Sequence, residues 1–542
     1  MNHRGTEAQS RSKTEGEDTQ MRKQRLLDGL AIAAVALAFF WQLGAVPLLD
    51  VDEGAFSEAT REMLASGNFV STTLDGEPRH DKPILIYWLQ AASVSLLGLN
   101  ELALRLPSAV AATLWAFALY RFTARVADRE TAGVAVLVMA LGLQVGLIAK
   151  AAIADALLNL LVALTFFDIY RHYRAPQRVT LLRVYLWLGL GFLTKGPVAV
   201  ALPLATSLAF YLSLGRWRDW LRAVFWAPGI AVFLAIVVPW HLASYLDQGV
   251  AFFEGFYLHH NVGRYTETME GHGGDPWYYL VWTPLIVLPF TGLLVAAIAS
   301  LRADWNDPLR RLLWLWFGAV FLLFSLSSTQ LPHYLLYGCT PLFVLMALHR
   351  DGLRNRWLAF VPPLLLAGAL LFLPDLLRLA EPYAKRLYEK EIIALAQSLL
   401  TPGYRVGMAA AAAAIVAIAA WGRLAPWQGL IAIGFVQLVA VTGLLLPVYF
   451  AATQGPVKEA AAVARALGEP VVAYRVRLPS FSVYREAITP RRPPEPGDLV
   501  FTRVDRVDKL LAELPGVPSE VVYRRGGVTL IRLAPPAAGK NG

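Results

Sequence analysis

Long apolar blocks separated by short charged connections dominate the chain from residue 26 to residue 450. The blocks are roughly 17–25 residues long, which is the length that an α-helix needs to cross about 30 Å of hydrocarbon. They lack the alternation of apolar and polar positions that marks the strands of membrane barrels. Because a helix satisfies its backbone hydrogen bonds internally, the pattern predicts an all-α polytopic membrane protein.

Length and hydropathy divide the apolar region into about thirteen membrane spans. Residues 1–25 are polar and mixed in charge and predict a disordered cytoplasmic tail, whereas 26–450 form the predicted transmembrane domain. Residues 451–542 predict a small soluble α/β domain, with helical periodicity followed by short β-rich runs. The helical stretch and the β-rich runs are 457–467, 470–474, 498–502 and 521–533. The spans fall near 26–48, 103–121, 132–149, 155–171, 181–195, 197–214, 224–243, 277–300, 311–327, 333–349, 357–375, 405–422 and 428–450.

The arginine distribution gives these spans an orientation. Clustered arginines, as in 121–129, 171–183 and 216–222, occupy alternate connections and therefore one side, which the positive-inside rule assigns to the cytoplasm. This bias accounts for the net charge of +9 without a nucleic-acid partner. An odd number of spans places the C-terminal domain and the other connections outside. The composition, 56% hydrophobic and 16% charged, agrees with a membrane protein, and the single Cys339 excludes a disulfide framework.

The longest outer connection, residues 49–102, holds a cluster of acidic and basic residues. Asp52 and Glu53 directly follow the first span, and Asp81 and Lys82 directly precede an apolar, aromatic segment. For the carboxylates, solvated charge and helix capping are the alternatives to function. Lys82 either binds an anionic lipid phosphate or extends along apolar surface with its head in water. Two helices that lie in the membrane interface are predicted over 53–65 and 83–97.

Other ionisable and aromatic residues lie at the outer ends of spans. Lys150 and Asp155 flank the turn between the third and fourth spans, and Lys195 lies between the fifth and sixth. Ionisable groups at such positions are costly, so they are either functional or paired in salt bridges inside the bundle. Tyr334 and Tyr337 open the tenth span, where they either hydrogen-bond a ligand headgroup or anchor the span in the outer leaflet.

The outer connection at 244–276 contains His259, His260, Asn261 and Arg264 with several acids. Histidines near acids suggest a divalent metal, although the spacing matches no strong zinc signature. Arg264 suits a phosphate, because a guanidinium can bind two oxygens at once. Carboxylates for acid/base work together with cations for phosphate indicate an enzyme that acts on a phosphorylated lipid. A transporter or flippase of lipid-linked sugars, and a scaffold that presents the C-terminal domain, are the alternatives.

Several short motifs follow one another in a characteristic order. They are VDEGAFSEATREML at 51–64, Asp81-Lys82-Pro83 with Tyr87-Trp88, Ala154-Asp155, Thr194-Lys195-Gly196, Arg264-Tyr265 and Leu331-Pro332-His333-Tyr334. This set resembles the bacterial aminoarabinose transferases that act on lipid A, relatives of the protein O-mannosyltransferases among the GT-C membrane glycosyltransferases. The resemblance covers most of the chain and includes the pattern of about thirteen spans with an outer C-terminal domain.

The resemblance implies a glycosyltransferase of the bacterial inner membrane. Its donor would be a sugar carried on undecaprenyl phosphate, and the family's sugar is 4-amino-4-deoxy-L-arabinose. Its acceptor would be lipid A or another envelope molecule on the periplasmic face. The chain departs from the family's pattern where Asp81 replaces a glutamate, where Asn261 falls at or near a metal-binding histidine, and where Gln330 replaces a lysine. The implied roles are catalytic for Asp52 and Asp155; donor lipid-phosphate binding for Lys82, Arg264, Lys195, Tyr334 and Tyr337; metal or donor-site contact for Asp81, His259, His260 and Asn261; and acceptor contact for Glu53.

Overall fold

The computed structural model describes residues 3–263 and 275–535, with the side chains of 3–17 and 260–262 left out. Most of the described chain is helical. The helices of its first part are α1 (His3–Phe40), α2 (Asp52–Ser66), α3 (Leu85–Leu97), α4 (Glu101–Val126), α5 (Arg129–Leu141), α6 (Leu143–Ala149), α7 (Asp155–Arg174), α8 (Arg178–Lys195), α9 (Val198–Ser213), α10 (Trp217–Val224), α11 (Ala227–Gln248), α12 (Val250–Phe253) and a π-helix (Glu254–Val262).

The second part of the chain continues the helical bundle up to residue 453. Its α-helices are α13 (Tyr278–Ile286), α14 (Thr291–Ala299), α15 (Leu301–Asp304), α16 (Pro308–Ser325), α17 (Cys339–Leu348), α18 (Arg356–Leu371), α19 (Leu373–Ala380), α20 (Leu387–Leu399), α21 (Pro402–Ala420), α22 (Pro426–Ala440) and α23 (Leu446–Thr453). Short 3₁₀ segments (Pro332–Gly338, Arg350–Gly352, Glu381–Tyr383) and a π-helix (Val441–Leu445) connect some of them.

The apolar helices are those of a membrane protein with several spans. Within the described residues, five helices are long and apolar enough to cross a membrane, or up to eight if each of three bent helix pairs counts as one span. The polytopic all-α class predicted from the sequence is confirmed. The number thirteen is not confirmed, although each predicted span falls on one of the helices or helix pairs given above.

Three of the predicted spans are broken helices, one of them bent by 63° between Leu371 and Leu373. Helices α5 and α6 meet at 71° beside Gly142, and α13 and α14 meet at 117° in a stretch that contains Pro289. Proline has no amide hydrogen and clashes with the preceding turn, so it breaks a helix where length and hydropathy predict a continuous one. The first two breaks along the chain lie against each other, because the amide of Leu143, next to Gly142, donates to the carbonyl of Leu288, next to Pro289, at 2.9 Å. The side chain of Gln437 on α22 donates to the same carbonyl at 3.0 Å.

The first helix differs at both ends from the prediction. Helix α1 begins at His3, so its backbone is helical through the segment for which the polar sequence predicts disorder. That segment has no proline and is rich in Glu, Gln, Lys and Arg, which have high helix propensity. The helix ends at Phe40, before the predicted limit at 48, and residues 41–49 form turns that lead to α2.

The two helices predicted in the first outer connection are present as α2 and α3. A short antiparallel hairpin, β1 (Thr73–Leu74) and β2 (Glu77–Pro78), lies between them. Helix α2 is largely buried rather than lying free at a membrane surface, because small residues along it allow other segments to approach closely. A Cβ added to Gly54 would lie 2.7 Å from the amide nitrogen of Ser480, so only glycine permits this contact with the C-terminal domain.

The C-terminal domain is α/β, as predicted. It contains α24 (Gly455–Leu467), α25 (Ser480–Arg485) and α26 (Val507–Glu513) beside a sheet in the order β3-β4-β6-β5, with β3 parallel to β4 and the other pairs antiparallel. The predicted run 521–533 is a hairpin of two strands that turns at Gly526, where φ is +51°. The strands are β3 (Val471–Ala473), β4 (Leu499–Arg503), β5 (Ser519–Arg525) and β6 (Val528–Leu533).

Candidate active site

A cavity of about 520 Å³ lies where the first outer loop meets the ends of α6, α7 and α23. Its wall is mostly apolar but includes an unusual number of ionisable side chains. Such a concave, largely apolar pocket with a few convergent polar groups is typical of a small-molecule site. The ionisable residues that line it are Asp50, Asp52, Glu53, Arg105, Lys150 and His333.

Asp52 is the first residue of α2, where a negative charge favours the helix because the N-terminal end of the helix dipole is positive. Its side chain is exposed in the cavity. Within residues 3–263 and 275–535, no hydrogen bond or ion pair holds this carboxylate. It lies within electrostatic range of His333 and Arg79. Asp52 is therefore available to a substrate.

Asp155 and Lys195 form a nearly buried ion pair in the bundle interior, with a distance of 2.7 Å between Nζ and Oδ1. Asp155 begins α7 and Lys195 ends α8, so each charge lies at the helix end that its sign favours. The Lys195 ammonium also donates to the Tyr337 hydroxyl at 2.5 Å, and that hydroxyl donates to Asp155. It lies 5.2 Å from the ring centre of Tyr334. Four predicted site residues are thus brought together, and the carboxylate compensates the lysine's charge.

His333 connects this cluster with the cavity. Its Nε2 lies 3.8 Å from Asp155 Oδ1, and the charges of Lys195, Asp52 and Lys82 all act on its ring. The 3₁₀ segment that bears it is held by Trp316, whose indole nitrogen donates to the Tyr337 carbonyl at 2.7 Å. Both predicted catalytic carboxylates, Asp52 and Asp155, therefore lie near His333.

A second cationic group lies in the loop before α3. The Lys82 ammonium donates to Asp81 Oδ1 at 2.6 Å, and the Arg79 guanidinium donates to Asp81 Oδ2 at 3.2 Å and to the Tyr87 hydroxyl at 3.1 Å. Lysine and arginine are the side chains that bind phosphate in proteins, so a group that contains two of them suits a phosphate. Asp81 thus contacts two cations, and Arg79 joins the group although the sequence reasoning did not assign it a role.

The metal prediction rests on residues that the structure describes only in part. His259 lies on the π-helix with an exposed side chain, whereas the side chains of His260 and Asn261 and the whole of Arg264 lie outside the described chain. Within the described residues, no group of three or more His, Cys, Asp or Glu side chains comes together as a metal site would require. The divalent metal and the role of Arg264 stay predictions.

Glu53 lines the cavity, but its carboxylate is already fully hydrogen-bonded. Arg105 forms a bidentate pair with it, at 2.8 Å from Nε and 2.9 Å from Nη2. The amides of Leu49 and Ala152 donate to its two oxygens at 2.8 and 2.7 Å. Glu53 therefore joins the first loop, α4 and the turn before α7, and the acceptor contact implied by the resemblance stays a prediction.

Sequence reasoning overlooked Arg105 and gave Asp50 no role. Arg105 interrupts the apolar block of α4, and an ionisable residue inside such a block is itself a signal of a buried partner. Asp50 binds the C-terminal domain, because its Oδ1 accepts from the Ser480 amide at 3.0 Å and its Oδ2 from the Ser480 hydroxyl. No pattern in the sequence pairs residues so far apart.

Comparison with known proteins gives a consistent result. Residues 81–242 match the family model described as dolichyl-phosphate-mannose-protein mannosyltransferase. The undecaprenyl phosphate-alpha-4-amino-4-deoxy-L-arabinose arabinosyl transferase of Shewanella sediminis is 30% identical over 325 residues, which cover 58% of this chain and 59% of that protein. The Yersinia enterocolitica protein of the same name is 30% identical over 348 residues, 61% of each chain. The matched region thus spans about three fifths of the length of these relatives.

The fold is also that of a solved structure. The crystal structure of ArnT from Cupriavidus metallidurans bound to undecaprenyl phosphate superimposes with a TM-score of 0.77, at 20% identity, over 93% of this chain and 97% of that one. The apo form of that protein gives a TM-score of 0.74. The chain therefore has the GT-C fold of the aminoarabinose transferases, and the resemblance indicated by its motifs is confirmed in sequence and in fold.

Proposed function

We propose that this protein is a membrane glycosyltransferase that moves a sugar from undecaprenyl phosphate to lipid A or another envelope acceptor. 4-Amino-4-deoxy-L-arabinose is the sugar named in the relatives. The observation that supports the proposal best is the carboxylate of Asp52, which has no hydrogen-bond or ion-pair partner among the described residues and is exposed in a largely apolar cavity near Lys82 and Arg79. A phosphorylated lipid fits that combination, and the similar structure from Cupriavidus metallidurans contains undecaprenyl phosphate.

In the proposed reaction, an acceptor oxygen attacks the anomeric carbon of the sugar while the bond between that carbon and the donor phosphate breaks. The electron pair leaves with the phosphate, so fixed cations at Lys82 and Arg79 stabilise the charge that develops there. An acceptor hydroxyl must lose a proton, which Asp52 is placed to accept. An acceptor phosphate is already anionic and needs no base, and Asp52 then orients the attacking group.

Asp155 acts in this scheme through its neighbours. Its carboxylate holds the Lys195 ammonium and the Tyr337 hydroxyl, and it faces His333 at 3.8 Å. We assign these residues to the donor side of the site, where they support His333, which lines the cavity. Direct contact of Lys195, Tyr334 and Tyr337 with the donor phosphate stays a prediction. The assignment is supported by their convergence on the same histidine as Asp52 and Lys82.

The proposal includes a topology. The N-terminus is cytoplasmic, residues 26–450 form the transmembrane domain, and residues 451–542 form a periplasmic domain on the bacterial inner membrane. The arginine-rich connections support this orientation. The cavity, α2 and α25 then lie on the periplasmic side, where a donor lipid already turned outward can enter from the bilayer.

Transfer by purified protein tests the function. Wild type in lipid nanodiscs is incubated with undecaprenyl phosphate bearing a radiolabelled aminoarabinose and with lipid A, and labelled lipid A is measured. We expect wild type to transfer the label, and Asp52→Asn to lose transfer while it still folds and binds the donor. Asp219→Asn, which changes a half-exposed ion-pair residue on α10, should match wild type.

Two outcomes would contradict the proposal. Normal transfer by Asp52→Asn would remove the role assigned to that carboxylate. Movement of labelled lipid between the leaflets of proteoliposomes, without consumption of the donor, would favour a flippase. Mass spectrometry of envelope lipids from cells with and without the protein identifies the sugar and the acceptor. The lipid that loses mass without the protein is the acceptor, and the mass lost, a pentosamine or a hexose, identifies the sugar.

A further inference from the structure

Lys150 lies in the same cavity as Asp52 but has no part in the scheme above. It follows α6, and its ammonium donates one hydrogen bond, 3.2 Å long, to the hydroxyl of Thr442. In the part of the chain that the structure describes, no carboxylate lies within ion-pair distance of it. It is a cation turned into an apolar cavity with a single neutral partner.

The electrostatic surroundings of Lys150 are unfavourable for a cation. Burial and the positive charge of Arg105 lower the pKa of Lys150 to about 8, so the side chain stays mostly protonated at neutral pH. Glu53 does not act as a counter-ion for Lys150, because both of its carboxylate oxygens are bound by the Arg105 guanidinium. A charge in an apolar cavity without a counter-ion destabilises the fold, and in membrane proteins such a residue usually serves function.

The other cations near the cavity differ from Lys150 in one respect. Lys195 is compensated by Asp155, Arg105 by Glu53, and Lys82 shares Asp81 with Arg79. Among the described cations of this region, Lys150 is therefore the one without a carboxylate. An incoming anion would gain a charge-assisted hydrogen bond there with no existing ion pair to break.

The rest of the cavity defines what the anion is attached to. Two amide side chains, Gln42 and Gln144, line it together with Thr442, whereas the wall near α23 presents Tyr449 and Phe450. A ligand with an anionic head and hydrocarbon chains matches this division. The volume of about 520 Å³ accommodates a headgroup and leaves its chains to the bilayer.

We propose that Lys150, oriented by Thr442, binds a phosphate of the lipid acceptor and holds it in the cavity beside Asp52. The inference rests on the proposed function, in which the donor phosphate is held separately by Lys82 and Arg79. With both phosphates bound, one acceptor oxygen attacks the anomeric carbon, the carbon–oxygen bond to the donor phosphate breaks, and undecaprenyl phosphate leaves with the electron pair.

Steady-state kinetics with each substrate varied in turn test the assignment. Lys150→Met removes the charge, Lys150→Arg keeps it, and Lys390→Met removes an exposed lysine on α20 as the matched control. We expect Lys150→Met to raise the KM for the phosphorylated acceptor about tenfold or more. A weakening of this size is typical when a hydrogen bond to a charged group is lost. Lys150→Arg should recover most of the affinity, and the KM for the donor should stay unchanged in all variants.

Equilibrium binding of the acceptor without donor gives a second readout. Wild type should bind lipid A more tightly than its dephosphorylated form, and Lys150→Met should lose that preference. A raised KM for the donor alone would assign Lys150 to the donor phosphate, and unchanged kinetics and binding in Lys150→Met would overturn the proposal. If wild type binds phosphorylated acceptor through Lys150 but transfers nothing, the proposed function fails while this inference stands. If Lys150→Met does not fold, Thr442→Val decides, since loss of its hydroxyl should weaken acceptor binding to a smaller extent.

Discussion

Replacing Arg105 with methionine tests whether Glu53 is a structural residue. The Arg105 guanidinium binds both oxygens of Glu53 and also donates to the carbonyls of Leu43, Val46 and Pro47, at 3.0, 2.8 and 2.7 Å. It thus holds the turns between α1 and α2 against α4. Methionine fills similar space but provides no donor, so Glu53 keeps only its two amide hydrogen bonds.

The size of the effect follows from burial. The side chains of Arg105 and Glu53 are only 2% and 5% exposed, so solvent cannot replace the lost partner. Removing one member of such a buried pair costs about 3–5 kcal/mol of unfolding free energy. Removing both, as Glu53→Leu with Arg105→Leu, should cost less than the sum of the two single changes, because neither charge is then left unpaired.

The measurement is the free energy of unfolding by reversible denaturant titration in mixed micelles. Arg465→Met is the matched control, because its ion pair with Glu486 is 55% and 46% exposed and contributes about 0–1 kcal/mol. Arg105→Met within about 1 kcal/mol of wild type would refute the reasoning, as would strict additivity in the double variant. If Glu53→Gln lowers transfer without a loss of stability, Glu53 contacts the acceptor instead.

Two further predictions concern the backbone near the site and the effect of pH. Gly196 directly follows Lys195, and Gly196→Ala should lower the free energy of unfolding by about 1–3 kcal/mol, measured by thermal unfolding. The reason is that φ is +76° at Gly196 and a Cβ there would lie 2.5 Å from the ring of Phe256. Gly215→Ala is the control and should lose less stability, because Gly215 has φ +68° but open space around it. Burial raises the pKa of Asp50 to about 7 from its ordinary 3.8. The folded state then binds this proton more tightly than the unfolded state, so stability should fall as pH rises from about 4 to about 7. Asp50→Asn should flatten that part of a stability–pH curve, and an unchanged slope would contradict the assignment.

The helices were predictable because hydrophobic length is a local property of the chain. A block of apolar residues must become helical wherever it meets lipid, and each predicted span indeed falls on a helix or a broken pair. The breaks beside Gly142 and Pro289 were missed, because hydropathy measures the environment of a segment and not the continuity of its hydrogen bonds. The split of 521–533 into β5 and β6 was missed for a related reason, since apolar content continues across the turn at Gly526.

The candidate site was predictable as a set of residues and not as an arrangement. Asp52, Asp155, Lys82 and Lys195 stand out because charge at the end of an apolar span needs a reason. Which of them are free to act is decided by partners distant in sequence. Asp155 and Lys195 neutralise each other, Asp52 has no partner within the described chain, and Glu53 is bound by Arg105, which is 52 residues away.

The sequence by itself therefore determined the class of protein, its charged outer loop, the α/β nature of the C-terminal domain and the residue types of the site. These follow from composition and periodicity, which act over a few turns of chain. Only the tertiary structure decided that α2 is buried beneath α25, that Glu53 lies in an ion pair and that Lys150 does not. The physical reason is that the state of a charged group depends on what lies within a few ångströms of it, and the fold brings those neighbours from segments far apart in the chain.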